Sequence, residues 1–244
     1  MSDVIKNSFG KSGEENIAGW KNYKLDELGS LQRGRSRHRP RYAYHLYGGN
    51  YPFIQTGEIR EARKYIRKFD QTYNEEGLEQ SKLWPKNTLC ITIAANIAEL
   101  AILSFDACFP DSVLGFIADN KKSDIHFIYY TLFHFQRELK HIGEGSVQDN
   151  INLGTFQNIV FPIPPLPEQK AIATILSSLD DKIDLLHRQN KTLEAMAETL
   201  FRQWFVACRL KCIALHETGF QLTSAHSGST HESTTCKGTT VSVA

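Results

Sequence analysis

The 244 residues carry 28 Lys and Arg against 27 Asp and Glu, and 41% hydrophobic with 23% charged residues is the composition of a globular protein, not of a disordered or collagen-like one. The apolar run at 89–105 is interrupted by Asn96 and Glu99 and is too short to cross a bilayer, so no membrane insertion is expected. The near-neutral total hides a basic front: residues 1–70 hold 14 Lys and Arg against 8 Asp and Glu, and the remainder holds 14 against 19.

The opening MSDVIKNSFGKSGEE has no apolar core of the kind that marks a secretory signal, and the five cysteines form no C-x-x-C pair. A reducing, cytoplasmic setting with free thiols is therefore expected. Residues 1–17 read as a flexible leader, and order is expected to begin near Trp20, where 20–25 alternates like an edge strand. Next come Arg33, Arg35, Arg37, Arg39 and Arg41 on alternate positions, which an extended segment would point to one side. Tyr42, Tyr44, Tyr47 and Tyr51 follow. Guanidinium groups beside aromatic rings supply phosphate contacts, guanine readout and base stacking, the chemistry of a nucleic-acid surface; a solvated basic loop is the bland alternative. Arg60, Lys64 and Arg67 extend the basic character and complete the expected DNA-binding set.

Residues 51–59 read as a buried strand ending in a turn at Gly57, and 89–94 and 100–105 as neighbouring strands, with another at 113–117. Asp124 is placed to cap a helix over 125–142 that Gly143 would stop. The prolines at 162, 164 and 165 force an extended arm out of any helix. Strands and helices interleave without a βαβ repeat, so 18–165 is expected to be an α+β, irregular α/β domain.

Residues 166–206 read as one long helix. Ile172, Leu179, Leu186, Leu193 and Leu200 fall seven apart, and Leu176, Ile183, Asn190, Ala197 and Trp204 form a second heptad row between them. Such a narrow stripe is the a/d seam of a coiled coil, in which Asn190 would specify register; packing on its own domain is the alternative. Pro167 stands in the first turn, where its missing N–H is not needed. Residues 207–244 turn rich in Ser, Thr, Gly and His and are expected to be disordered, a break in composition of the kind a reading-frame change or fusion leaves.

Catalytic patterns are missing. Gly10-Lys11-Ser12 lacks the leading glycine of a phosphate loop, because Ile5 stands there, and no G-x-G-x-x-G follows a strand, so no nucleotide or other cofactor is expected. Cys208 and Cys212 have no partner pair at zinc spacing, so no metal is expected either. A nuclease built on Asp111, Glu168 and Lys170 is the weakest alternative, since those residues lie far apart in the chain.

The stretch Ile163-Pro164-Pro165-Leu166-Pro167-Glu168-Gln169-Lys170-Ala171-Ile172-Ala173, followed by Leu176, Leu179, Asp180 and Ile183, resembles the helix entry of the specificity subunits of Type I restriction-modification systems. Phe201-Arg202-Gln203-Trp204-Phe205 is similar to the far end of that helix. Trp20, Leu28, Gly29, Pro52-Phe53-Ile54, Gly57, residues 91–103, Gly145-Ser146-Val147-Gln148 and Asn150-Ile151 resemble landmarks of the family's target recognition domain, so the likeness covers roughly 18–206. It implies a non-catalytic module that reads double-stranded DNA while separate methylase and restriction subunits methylate adenine, translocate and cut. Family members carry two recognition domains and two antiparallel helices; this chain has one of each and looks like half a subunit. Two copies paired through the seam as an antiparallel homodimer are then expected to read a symmetric, interrupted site; pairing with a second half-subunit is the other arrangement expected. A coiled-coil scaffold or a decayed fragment without DNA binding is the competing reading.

Overall fold

The computed structural model describes residues 19–37, 43–94, 97–144 and 153–206; the leader 1–17, the tail 207–244, Arg39, Arg41, Tyr42 and the 145–151 landmarks lie outside the described residues. The chain divides into two compact units, Met1–Ile183 and Asp184–Ala244, so the first turns of the long helix belong with the domain that precedes them.

In chain order, the first unit holds β1 (Lys21–Lys24), α1 (Leu25–Leu28), β2 (Gly29–Arg33), a 3-10 turn (Tyr44–Leu46), β3 (Tyr47–Phe53), α2 (Thr56–Glu61), β4 (Tyr65–Ile66), β5 (Gln71–Tyr73) and α3 (Glu75–Gln80). There follow β6 (Leu83–Trp84), β7 (Leu89–Thr92), β8 (Leu100–Leu103), β9 (Ala107–Cys108), β10 (Val113–Ala118), α4 (Ile125–His134), α5 (Gln136–Glu144), α6 (Leu153–Asn158) and β11 (Val160–Ile163). The last helix, α7, runs Leu166–Phe201 and ends in a π-turn at Arg202–Val206. This is an α+β domain followed by a long helix, the class expected.

The central sheet has the order β2-β10-β7-β8-β4, antiparallel except for the β4–β8 pair. Every residue of β7 and β8 is buried, because both faces of the sheet are covered and strands of Leu, Ile, Cys and Ala with a single Thr92 satisfy that demand. One face, with α4 and the start of α7, encloses a core around Leu114, Phe116, Ile128, Leu132, Phe161 and Ala173. The other encloses Ile54, Ile59, Trp84, Phe109 and Val113, under a smaller sheet of order β5-β3-β9-β6. Trp84 and Phe109 stack with centroids 4.7 Å apart. Gly115 makes room for them, since a Cβ there would lie 2.6 Å from Trp84 and 2.7 Å from Phe109. A third pairing, β1 with β11, holds the extended proline arm against the first strand.

Two local expectations are corrected. The helix after Asp124 is not continuous to 142: Asp124 does cap it, accepting from the N–H groups of His126 and Phe127, but α4 stops at His134 and α5 restarts at Gln136. Contacts distant in sequence cause the break. Phe135 lies 5.7 Å from Phe161, the Gln136 amide donates to the Ala98 carbonyl at 2.8 Å, and Lys140 pairs with Glu99 at 2.8 Å. Gly143, expected as the stop, is inside α5. Likewise Gly57 does not turn the chain after the strand but lies in α2, where Glu58 accepts from the Gln55 N–H at 3.1 Å.

Candidate nucleic-acid interface and helix seam

The arginine segment begins where β2 ends. Arg33, Arg35 and Arg37 are exposed and alternate with buried Gly34 and Ser36, so the three described arginines do face one way, as an extended chain requires. The backbone beneath them is held at several points. The Gly34 N–H donates to Val113 O at 2.8 Å, Arg35 N–H to Phe109 O at 3.2 Å and Arg37 N–H to Gln80 O at 3.4 Å. Gly34 is required here, because a Cβ would fall 2.3 Å from the Pro110 carbonyl.

The guanidinium groups are partly engaged. Arg33 Nε donates to the Asp111 carbonyl, and Arg35 donates through Nε to the Ser81 carbonyl at 2.8 Å, while Ser81 Oγ returns a bond to the Arg35 carbonyl at 2.8 Å. Each guanidinium keeps further N–H donors for an acceptor in solvent. The Ser81 turn also brings in Lys82, whose ammonium lies 3.8 Å from the centre of the Trp84 ring and donates to Gln32 Oε1 at 2.6 Å. Burial, and then the charge of Arg35, lower its pKa. Lys82 extends the basic cluster, and sequence reading missed it because Lys82 is 50 residues from Gln32 and meets it only through the fold.

The other expected DNA contacts are not gathered with these. Arg60 is exposed at the end of α2, and Arg67 is exposed after β4 with its guanidinium 5.7 Å from the Tyr65 ring. Since β2 and β4 are opposite edges of the central sheet, four strand spacings, about 19 Å, separate the strand that ends at Arg33 from the strand that precedes Arg67. Lys64 points the other way. It is 6% exposed, and its ammonium donates to Tyr130 Oη at 2.9 Å and Ser177 Oγ at 2.8 Å, with Asp180 at 4.0 Å. A side chain committed to the interior cannot reach a phosphate, so Lys64 leaves the candidate surface. Among the aromatics, Tyr47 is taken up by Phe53 and Tyr73, whereas Tyr44 is 95% exposed.

The motif at the start of α7 now has a physical reading. Gln169 is 1% exposed: its side-chain carbonyl accepts the Asp124 N–H at 3.0 Å, and its amide donates to Lys122 O at 3.1 Å and Pro164 O at 2.9 Å. Glu168 accepts from the Trp20 indole at 3.0 Å. The residues that carried the family resemblance are thus the ones that bind the helix start to the domain.

Along the heptad rows, Ile172 packs on the main core and Leu176 is half-buried. From Leu179, 57% exposed, to Trp204, 69% exposed, the rows face solvent: Ile183, Leu186, Asn190, Leu193, Ala197 and Leu200 are all exposed. Large apolar side chains repeated along one helix and left in water mark a surface awaiting a partner.

Among the described residues no group of three or more His, Cys, Asp or Glu is arranged to hold a metal ion, and no helix is long and apolar enough to cross a membrane. Burial pushes the Cys108 thiol up to about 11 and the Cys90 thiol further, which makes neither a ready nucleophile.

A family model described as the Type I restriction modification DNA specificity domain matches residues 17–195. The chain is 27% identical over 191 residues to the Type I restriction enzyme MjaIX specificity subunit of Methanocaldococcus jannaschii, covering 77% of this chain and 44% of that protein. It is 26% identical over 208 residues to the Type I restriction enzyme HindI specificity subunit of Haemophilus influenzae, covering 78% and 41%. The fold is similar to that of the HsdS subunit of Thermoanaerobacter tengcongensis, with a TM-score of 0.57 over 77% of this chain and 44% of that one at 18% identity. The chain therefore spans less than half the length of these relatives. With nearly three-quarters of its residues inside the match, it belongs to the Type I restriction-modification DNA specificity domain family.

Proposed function

We propose that the chain is a DNA-reading module without catalysis of its own, which directs the methylase and restriction subunits of a Type I system to a bipartite site. It works as a pair, a homodimer or one half-subunit joined to another, through the exposed seam of α7. The observation that carries this reading is the seam: the apolar side chains of the heptad rows from Leu179 to Trp204 stand in water. Two-fold pairing of the helices places two identical recognition domains on DNA, and the site they read is then an interrupted palindrome. Arg33, Arg35, Arg37, Arg39, Arg41, Arg60 and Arg67, with Lys82, supply the electrostatic contact. Such work on cellular DNA belongs in the cytoplasm.

The test is to map methylated adenines on DNA modified by the chain together with its methylase subunit. Methylation at an interrupted palindrome is expected. Methylation at a site that is not bipartite, or none that depends on this chain even with a second half-subunit present, would overturn the reading.

A further inference from the structure

Lys64 is a lysine with almost no surface, and taking an ammonium out of water is costly unless every donor finds a partner. Here the partners all come from two helices. Its Nζ donates to Tyr130 Oη on α4 at 2.9 Å and to Ser177 Oγ on α7 at 2.8 Å, and Asp180 on α7 lies 4.0 Å away. Tyr130 closes the ring by donating its hydroxyl proton to Asp180 Oδ2 at 2.6 Å. The lysine's own backbone is fixed to the sheet, where its carbonyl accepts the Ile102 N–H at 2.8 Å. Ser177 and Asp180 are three apart and share one helix face, so a single ammonium grips one turn of α7 against the domain.

Apolar contacts alone tolerate a helix sliding or tilting by a fraction of a turn, whereas directional bonds from a buried charge do not. Gln169 anchors α7 eight to eleven residues earlier, which at the rise of an α-helix is about 12 to 16 Å away. One anchor leaves a pivot; two anchors at that separation fix both the axial position and the angle of residues 166–183, the part of α7 that belongs to the first unit.

We infer that the Lys64–Tyr130–Ser177–Asp180 ring is a positioning device that sets the spacer length of the DNA site. The inference rests on the paired reading above. When two copies meet along their helices, the angle between helix and domain decides where each domain falls on the duplex. A tilt of about 10° carried over about 35 Å of helix displaces its end by about 6 Å, close to two base-pair steps. Spacer selectivity of a single base pair therefore needs a stiff joint, and the ring provides it.

The experiment compares the full chain, with its methylase subunit, carrying Tyr130→Phe or Asp180→Asn, on duplexes whose half-sites are constant and whose spacers differ by one or two base pairs. The wild type is expected to prefer one spacer by about tenfold, and both variants to keep the half-site sequences while the preference falls to about twofold, since Tyr130→Phe removes both bonds of the hydroxyl and Asp180→Asn removes the charge that holds one of them. Tyr130→Phe keeps the ring system and decides the matter should Asp180→Asn fail to accumulate. Ile128→Val, which thins the core without touching the ring, is expected to lower stability and keep the spacer. Variants that retain the tenfold preference, or an Ile128→Val variant that loses it equally, would overturn the inference while leaving the paired reading intact. A wild type that selects no bipartite site would remove the paired reading itself, and this inference with it.

Discussion

The side-chain carbonyl of Gln169 accepts the backbone N–H of Asp124 at 3.0 Å across 45 residues of sequence, so the first turn of the long helix is bonded to the cap of another helix. With the two bonds from its amide to the carbonyls of Lys122 and Pro164, this one buried side chain bonds three backbone groups.

Gln169→Leu keeps the volume and removes all three bonds. Each stranded buried group costs about 1 kcal/mol or more, so the variant is expected to lose about 3 kcal/mol of stability. Gln169→Glu should lose as much at neutral pH, because a carboxylate cannot donate to the two carbonyls. Denaturant titration followed by circular dichroism measures both, and midpoints unchanged from wild type would show that the bonds are dispensable.

Gly34 and Gly57 make opposite predictions from the same substitution. An Ala at Gly34 places its Cβ 2.3 Å from the Pro110 carbonyl oxygen and 2.7 Å from that of Phe109, and is expected to cost about 2 kcal/mol and to shift the arginines that flank it. At Gly57, inside α2, a Cβ meets nothing within 4 Å, so Ala is expected to stabilise by about 0.5 kcal/mol. Thermal melts of the two single variants separate them by sign.

The logic of these two glycines shows what the sequence could and could not convey. Strands β7, β8 and β10, the Asp124 cap, the heptad rows and the outward alternation of Arg33, Arg35 and Arg37 all follow from local periodicity, and the structure has them. Lys64 turning inward, Lys82 joining the arginines, the break at Phe135 and the bonds of Gln169 to Asp124 and Lys122 all depend on partners between 26 and 116 residues away. Nothing local distinguishes Lys64 from Lys68, although the first is buried and the second exposed. Gly57 departs from the expected turn for a related reason, since a glycine marks a turn only if nothing nearby caps a helix, and Glu58 does.

Arg35 and Arg37 should separate by the kind of loss they cause. Arg37→Ala is expected to weaken duplex binding uniformly and to reduce the slope of log affinity against log salt by about 1, the signature of one phosphate contact. Arg35→Ala removes the Ser81 tether as well and should also lower the melting temperature. Fluorescence anisotropy over a salt series gives the slope; binding that is indifferent to salt in the wild type would contradict a DNA surface here.

His126 gives the molecule a pH dependence of known sign. Burial chiefly, and the charge of Lys64 next, lower its pKa below the usual 6.5, and its Nδ1 is buried without a hydrogen-bond partner. The folded state therefore prefers the neutral ring, and its contribution is present above pH 6.5 and lost as pH falls toward the depressed folded value. Unfolding free energies at pH 7.5 and 5.5 should differ less in His126→Phe than in the wild type; an equal or larger drop in the variant would refute the assignment.

The paired arrangement depends on apolar side chains that the single chain leaves in water, and Leu193→Glu should abolish it by placing a charge in the seam. The most direct measurement is the solution mass of the full chain by light scattering at micromolar concentration. Pairing predicts about 55 kDa, twice the 27.7 kDa of one chain, falling to the single-chain mass in Leu193→Glu. A wild-type chain that stays at 27.7 kDa both alone and mixed with a second half-subunit would contradict the account.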